Sequence, residues 1–377
     1  KVLNVPHLRF PEFSGEWEKY RLCDVASIVG RIGFRGYTTN DIVTKGKGAI
    51  ALSPTNIENN KLTYDKDNTY ISFYKYEESP EIMIKQGDVI FVKTGSTVGK
   101  VAYVDKLICK TTLNPQVVVL KDIQCDNYLL SVLMSTNKFQ NAIRKIIVGG
   151  AVPTLSQAAM GDIVVTMPQA TEQEKLSKFI SLLDDRIATQ NKIIEKLQSL
   201  IKGLAAQLTQ SGTPNVRLCD CLECHSSTLQ ENCVSATGSY PVYGATGLIG
   251  YTNGYAYNGE SILIVKDGSG VGSLSYANDC YSVIGTLNYL TAKGKYSVLY
   301  LYYALMAFNF TPYITRMAIP HIYFKDYGKA KVFCPSIENQ IRIASLLHNI
   351  EQKLVVEQNL IISLSAQKSY LLRMLFI

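Results

Sequence analysis

The sequence predicts an α+β chain in which two mixed domains alternate with two long helices that pair antiparallel, the halves forming a pseudo-two-fold internal repeat. Three observations predict it. Residues 168–208 align with 335–375 at a constant offset of 167 and without a gap. Shorter blocks upstream recur in the same order. Each aligned segment also carries an apolar residue every three or four positions for more than four heptads, the period of a coiled-coil seam.

Each element follows in turn. Residues 1–167 form a first domain, 168–210 a first long helix, 211–334 a second domain and 335–377 a second long helix. Arg21-Leu22-Cys23-Asp24 returns as Arg217-Leu218-Cys219-Asp220, and residues 92–99 return as 265–272. Tyr128-Leu129 is matched to Tyr300-Leu301, and Val152-Pro153 to Ile319-Pro320. Offsets differ between blocks, so loops differ in length while the frame persists. Short β-branched runs at 88–92, 117–120, 162–166 and 261–265, ended by glycine-rich turns, read as strands. Residues 127–147 and 296–308 carry helical periodicity.

In the first long helix the expected seam is Leu176, Ile180, Leu183, Ile187, Ile194, Leu197, Ile201, Leu204 and Leu208. In the second it is Ile343, Leu347, Ile350, Leu354, Ile361, Leu364, Leu371 and Leu375. Gln190 and Glu357 stand at one equivalent position in the two seams, where a polar residue fixes register at some cost in stability. From Leu176 to Leu208 the seam would run roughly 50 Å at about 1.5 Å per residue. Pro168 and Pro335 open the helices, with Thr171 and Glu338 in the first turns as acceptors for free N–H groups.

Composition bounds the function. At 377 residues with 47% hydrophobic content, two real cores are within reach. A net charge of +7 favours an anionic partner. Residues 1–11 carry no apolar h-region, and the longest apolar run, 298–308, is too short to span a bilayer. A soluble, cytoplasmic protein without membrane contact is therefore expected. Nine cysteines fit reduced thiols. Cys219, Cys221, Cys224, His225 and Cys233 lack the second ligand pair of a zinc site, and the first three face Cys23, Val25 and Ile28 of the other copy, so they are expected as apolar positions of a duplicated strand.

No catalytic constellation emerges. Gly95-Ser96-Thr97-Val98-Gly99-Lys100 has its glycines one residue too close for a phosphate loop, and the second copy has Ser273 in place of Lys100. Glu351-Gln352-Lys353, the one Asp/Glu-x-Lys weighed as a nuclease motif, falls on the heptad helix. Asn114-Pro115-Gln116 is not the Asn/Asp-Pro-Pro-aromatic signature of amino-methylating enzymes. His7, His225, His321 and His348 have no triad or metal spacing.

The whole pattern resembles the specificity subunit of type I restriction–modification systems. The resemblance rests on the domain–helix alternation, on Pro168-x-x-x-Glu172-Gln173, on Asp184-Asp185-Arg186-Ile187, on the opening Leu8-Arg9-Phe10-Pro11-x-Phe13-x-Gly15-x-Trp17, and on Tyr240-Pro241-Val242-Tyr243-Gly244. The second helix departs from it with Asn339-Gln340. The resemblance implies two target-recognition domains that read a bipartite double-stranded DNA target, one half-site each, with the helices setting the spacer. It implies no catalytic residues and no bound metal or cofactor in this chain. It also implies two methyltransferase subunits using S-adenosylmethionine on adenine, and two restriction subunits using ATP and Mg. A coiled-coil assembly scaffold without DNA readout is the alternative. For DNA contacts the glycine-rich basic segments select Arg31, Arg35, Tyr37, Lys45, Lys47, Ser96, Thr97 and Lys100 in the first domain. In the second they select Tyr243, Thr246, Lys266, Ser269, Ser273, Arg316 and His321. The domains differ most in their first hundred residues, so two different half-sites are expected.

Overall fold

Duplication carries through to the hydrogen-bonding order of the strands. The computed structural model describes residues 5–64, 67–148, 150, 152–315 and 318–376. They divide into two compact units, Lys1–Ala188 with Ser363–Ile377, and Thr189–Ile362. In the first unit the strands Ser27–Gly30, Val117–Lys121, Val89–Val92 and Val101–Tyr103 lie side by side in that order. In the second the order is Leu222–Ser226, Leu287–Ala292, Ser261–Val265 and Leu274–Ala277. A second sheet in each unit contains one parallel pair, Gly48–Leu52 with Thr111–Leu113 and Tyr240–Gly244 with Cys280–Val283. A short antiparallel pair recurs as well, Glu18–Arg21 with Val164–Met167 and Val216–Arg217 with Lys331–Val332. The strands 89–92 and 261–265 are buried along their whole length, which explains their unbroken apolar runs.

The long helices span Ala170–Thr209 and Ile337–Leu375. Every residue expected in the seam is buried or half-buried. In the first unit the start of one helix packs with the end of the other: Leu176 and Ile180 share a core with Leu371 and Leu375. Lys368 pairs with Asp184 there. In the second unit Ile201 and Leu204 share a core with Ile343, Leu347, Ile350 and Leu354. The helices therefore run antiparallel. Gln190 donates to the Glu357 carboxylate at 2.5 Å and to its carbonyl at 3.3 Å. A residue that meets its own repeat mate marks a two-fold relation between the helices at that level.

The motif residues act as fasteners. Gln173 accepts from the backbone N–H of Asp126 at 2.9 Å and donates to the Pro168 carbonyl at 2.8 Å. Gln340 repeats both bonds with Ser297 and Pro335, at 3.1 and 2.9 Å. Glu172, 1% exposed, forms a two-pronged pair with Arg9 at 2.6 and 2.7 Å. Arg9 also donates to the Gly15 and Ser14 carbonyls, Phe10 packs edge-on against Phe179 and Trp17 against Phe376. The opening motif thus straps the first unit to both helices.

Three expectations need correction. The segment 127–147 is two helices, Asn127–Ser135 and Asn137–Ile146, because Thr136 leaves helical geometry and caps the second. Asp126 and Ser297 cap equivalent helices, which makes the offset 171 and aligns Leu129, not Tyr128, with Tyr300. Cys219 and Cys221 sit on a helical turn, Leu218–Cys221, with only Cys221 buried among the cysteines of that cluster.

Two outcomes follow. Glu172→Ala strands the Arg9 guanidinium and should cost about 2–4 kcal/mol in denaturant unfolding, whereas Asn339→Ala, at its exposed counterpart, should leave the midpoint unmoved. Equal effects would contradict the fastening role. The Glu357 carboxyl is held below the usual glutamate range by Lys353 and then Gln190. Its contribution is present above that range and lost as pH falls through the lowered pKa, so Glu357→Gln should flatten the acid limb of the melting profile.

Candidate nucleic-acid interface

The most closely duplicated feature is a turn. Gly99 N–H donates to the Val92 carbonyl at 3.0 Å, and Gly272 to Val265 at 2.8 Å. Gly95 donates to Pro153 and Gly268 to Pro320, both at 2.9 Å. Leu155 donates to Lys93, and Ile322 to Lys266. Gly99 and Gly272 hold φ of +99° and +85°, conformations that side-chain-bearing residues rarely adopt. The backbone thus fixes an identical scaffold in both units and leaves its side chains free to vary. This is a strand–turn–strand, not a phosphate loop, as the spacing required.

On this scaffold Ser96, Lys100, Ser269 and Ser273 are exposed, and Thr97 and Lys266 half-buried. Lys100 bends back to donate to the Ile57 carbonyl at 3.2 Å. Beside the turn the units diverge. Thr94 faces Thr154 in the first, and Asp267 faces His321 in the second. His321 pairs with the Asp267 carboxylate and lies 4.0 Å from the Tyr323 ring, with Lys325 5.0 Å from that ring. One domain thus offers hydroxyls where the other offers a hydrogen-bonded histidine–aspartate pair and an aromatic face.

Elsewhere the selected residues fare differently. Lys45 and Lys47 are exposed on a turn closed by Lys47 N–H to the Thr44 carbonyl at 3.0 Å, with Gly46 at φ +86°. Thr246 is exposed at the tip of the hairpin between Tyr240–Gly244 and Gly247–Thr252. Tyr243 is half-buried, its ring 6.0 Å from that of Tyr281. Arg316 lies outside the described residues.

Arg31 is the clear correction. It is 7% exposed and donates to Leu113 and Arg35 carbonyls and to the Thr112 hydroxyl. Its guanidinium also lies 5.4 Å from the Tyr37 ring. Arg35 is itself engaged by the Glu78 carbonyl and Glu81. Tyr37 accepts from the Asn114 side-chain amide, whose Oδ1 accepts from Gln116 N–H, and the Gln116 backbone carbonyl accepts from Lys93 N–H. Arg31, Arg35 and Tyr37 are therefore an internal brace joined through 114–116 to the turn. Arg31 is buried within this brace, while Arg35 and Tyr37 remain half-buried.

Val152 and Ile319 lie outside that selection. Both are exposed, at 58% and 68%, and both precede the proline that anchors the turn. Both positions repeat a β-branched residue before proline. Among the described residues, no group of three or more His, Cys, Asp or Glu is placed to hold a metal, and no helix is long and apolar enough to cross a membrane.

The repeat, the paired helices and the duplicated turn coincide with a known family. The pattern of the Type I restriction modification DNA specificity domain matches residues 14–199 and 215–366. The chain belongs to this family. It is 25% identical over 209 residues to the specificity subunit of the type I restriction enzyme MjaVIII of Methanocaldococcus jannaschii, covering 54% of this chain and 44% of that one. To the EcoprrI specificity subunit of Escherichia coli it is 27% identical over 112 residues, 30% of this chain and 28% of the relative. The matched part spans less than half the length of these curated relatives. A crystal structure of the type I system S subunit from M. genitalium shares the fold over 99% of both chains, with a TM-score of 0.66 at 16% identity. A structure concerning complex assembly and conformational transition of the type I R-M system aligns over 96% of this chain and 97% of that one, at TM-score 0.53 and 16% identity.

If Arg31 braces the turn, Arg31→Ala should lower unfolding free energy by about 2–3 kcal/mol, the scale of lost hydrogen bonds to a charged donor. Urea denaturation checks this, and an unchanged midpoint would contradict the bracing role.

Proposed function

We propose that this chain is the non-catalytic specificity subunit of a type I restriction–modification complex. On this reading each unit reads one half of a bipartite duplex target, and the paired helices set the unspecified spacer. Family membership over most of the chain carries the reading. A turn held by the same backbone bonds in both units but carrying different side chains supports two half-sites of different sequence. Exposed Lys45 and Lys47 suit phosphates, while Ser96, Ser269, Thr246 and His321 suit base edges. Val152 and Ile319 suit apolar contact with thymine methyl groups or base steps.

Recruitment of partners belongs to the same proposal. The long helices leave Leu182, Ile193, Leu200, Val355, Val356 and Ile362 exposed outside their mutual seam. Such apolar residues on paired helices suit helices of methyltransferase subunits, here two, with S-adenosylmethionine as their methyl donor. Two restriction subunits would bring ATP and Mg. A cytoplasmic setting follows from this role.

The test is a footprint on duplex DNA with the methyltransferase partner present. A single bipartite target is expected, and the absence of any sequence-specific protection would overturn the proposal. Lys45→Ala with Lys47→Ala should reduce the slope of log affinity against log salt by about 2 while preserving the target sequence. Inserting one heptad into the first long helix should change the permitted spacer and keep both half-sites. An unchanged spacer would refute the ruler.

A further inference from the structure

The first unit contains an open-sided cavity of about 550 Å³ where the helix Asn127–Ser135 and the strand Val101–Tyr103 meet the first long helix. The short helix and the strand contribute Tyr103, Tyr128, Ser131 and Val132 to its lining, the long helix contributes Ser181 and Asp184, and the charged groups Lys61, Asp105, Lys106 and Asp185 also line it. That volume falls in the usual range of ligand sites.

Comparison with the other repeat indicates what belongs there. The capping residues set the offset between the short helices at 171, so Ser131 and Val132 correspond to Tyr302 and Tyr303. On the long helices, Ser181 and Asp184 correspond to His348 and Glu351. In the second unit Tyr302 and Tyr303 are 6% and 0% exposed. Both hydroxyls donate to Glu351, at 3.3 and 2.7 Å, and the Tyr302 ring lies 5.9 Å from that of Tyr276. In the first unit one tyrosine stands in for two. Tyr128 donates to Asp184 at 2.7 Å, with its ring 5.6 Å from that of Tyr103. Ser131 and Val132, themselves 1% and 4% exposed, line the cavity with far smaller side chains than Tyr302 and Tyr303. The carboxylate of Asp184 has acceptor capacity beyond Tyr128 and Lys368, since two oxygens offer about four lone-pair directions. The tyrosine walls suit edge-on aromatic packing.

We propose that this cavity binds a phenol group, an aromatic ring whose hydroxyl donates toward Asp184, in the place that the second unit fills with its own tyrosines. The phenol comes either from a free small molecule or from a tyrosine side chain of a partner protein. The site stands independently of DNA recognition, and only the arm that uses the methyltransferase partner rests on that reading.

Saturation-transfer NMR on the full chain tests it, with 4-methylphenol as probe and toluene as the control lacking a hydroxyl. The expected result is millimolar binding of 4-methylphenol, about tenfold tighter than toluene. Ser131→Tyr, which supplies the second repeat's own side chain, should abolish transfer in a folded protein. Ser181→His, the other exchange toward the second repeat, gives the same test should Ser131→Tyr fail to fold. Absence of transfer to the wild-type chain, equal transfer to toluene, or undiminished transfer in the folded variants would each overturn the site. In the complex with the methyltransferase subunits, loss of transfer assigns the phenol to a partner tyrosine. Retention assigns it to a free molecule.

Discussion

Two long helices, each with one apolar stripe, cannot bury those stripes within their own repeats. Their antiparallel pairing is the interaction on which the remaining structure depends. It brings Leu371, Leu375 and Phe376 from the end of the chain into the core that holds Leu176 and Ile180. It likewise sets Ile343, Leu347 and Ile350 beside Ile201. Each unit is thereby completed by a helix from the other repeat. The seam also tolerates polarity only where it is answered. Gln190 meets Glu357, and Lys368 meets Asp184, so neither the amide nor the charges are left unpaired in a half-buried setting.

Duplication followed by divergence explains how one frame can display two different sets of side chains. The turns at 92–99 and 265–272 are held by main-chain bonds, which do not depend on side-chain identity. Substitution at Thr94 and Thr154, or at Asp267 and His321, then alters the chemistry displayed without altering the frame. The same logic separates Ser131 and Val132 from Tyr302 and Tyr303. Fasteners behave oppositely. Gln173 and Gln340 satisfy the first N–H of a neighbouring segment in both copies, and a bond of that kind cannot drift without stranding a backbone donor.

Much of this was legible in the residues. Heptad spacing located both seams, because helical period and burial are the same physical fact read twice. The polar pair at Gln190 and Glu357 stood out for the same reason, although that each would meet the other needed the antiparallel register. Where side chains decide, the sequence was a poorer guide. Arg31 in a glycine-rich basic stretch has the composition of a phosphate contact, and only the strand carrying Thr112 and Leu113 reveals it as a buried brace. Tyr128 and Tyr300 looked like mates because identity of residue was matched, whereas capping geometry sets the true alignment one position away. Glu172-Gln173 was visible as a motif, but its Glu is matched to Arg9 across 163 residues, a pairing no local pattern encodes.

The pairing itself is open to a direct measurement. Gln190→Cys and Glu357→Cys introduced together in a chain whose exposed Cys23, Cys109 and Cys233 are replaced by serine, treated with a short bis-maleimide at low protein concentration and mapped by peptide mass spectrometry, report whether the two positions touch within one molecule. The account predicts a single intramolecular link between the two positions in a monomeric chain. Links found only between molecules, or none between these positions, would contradict it.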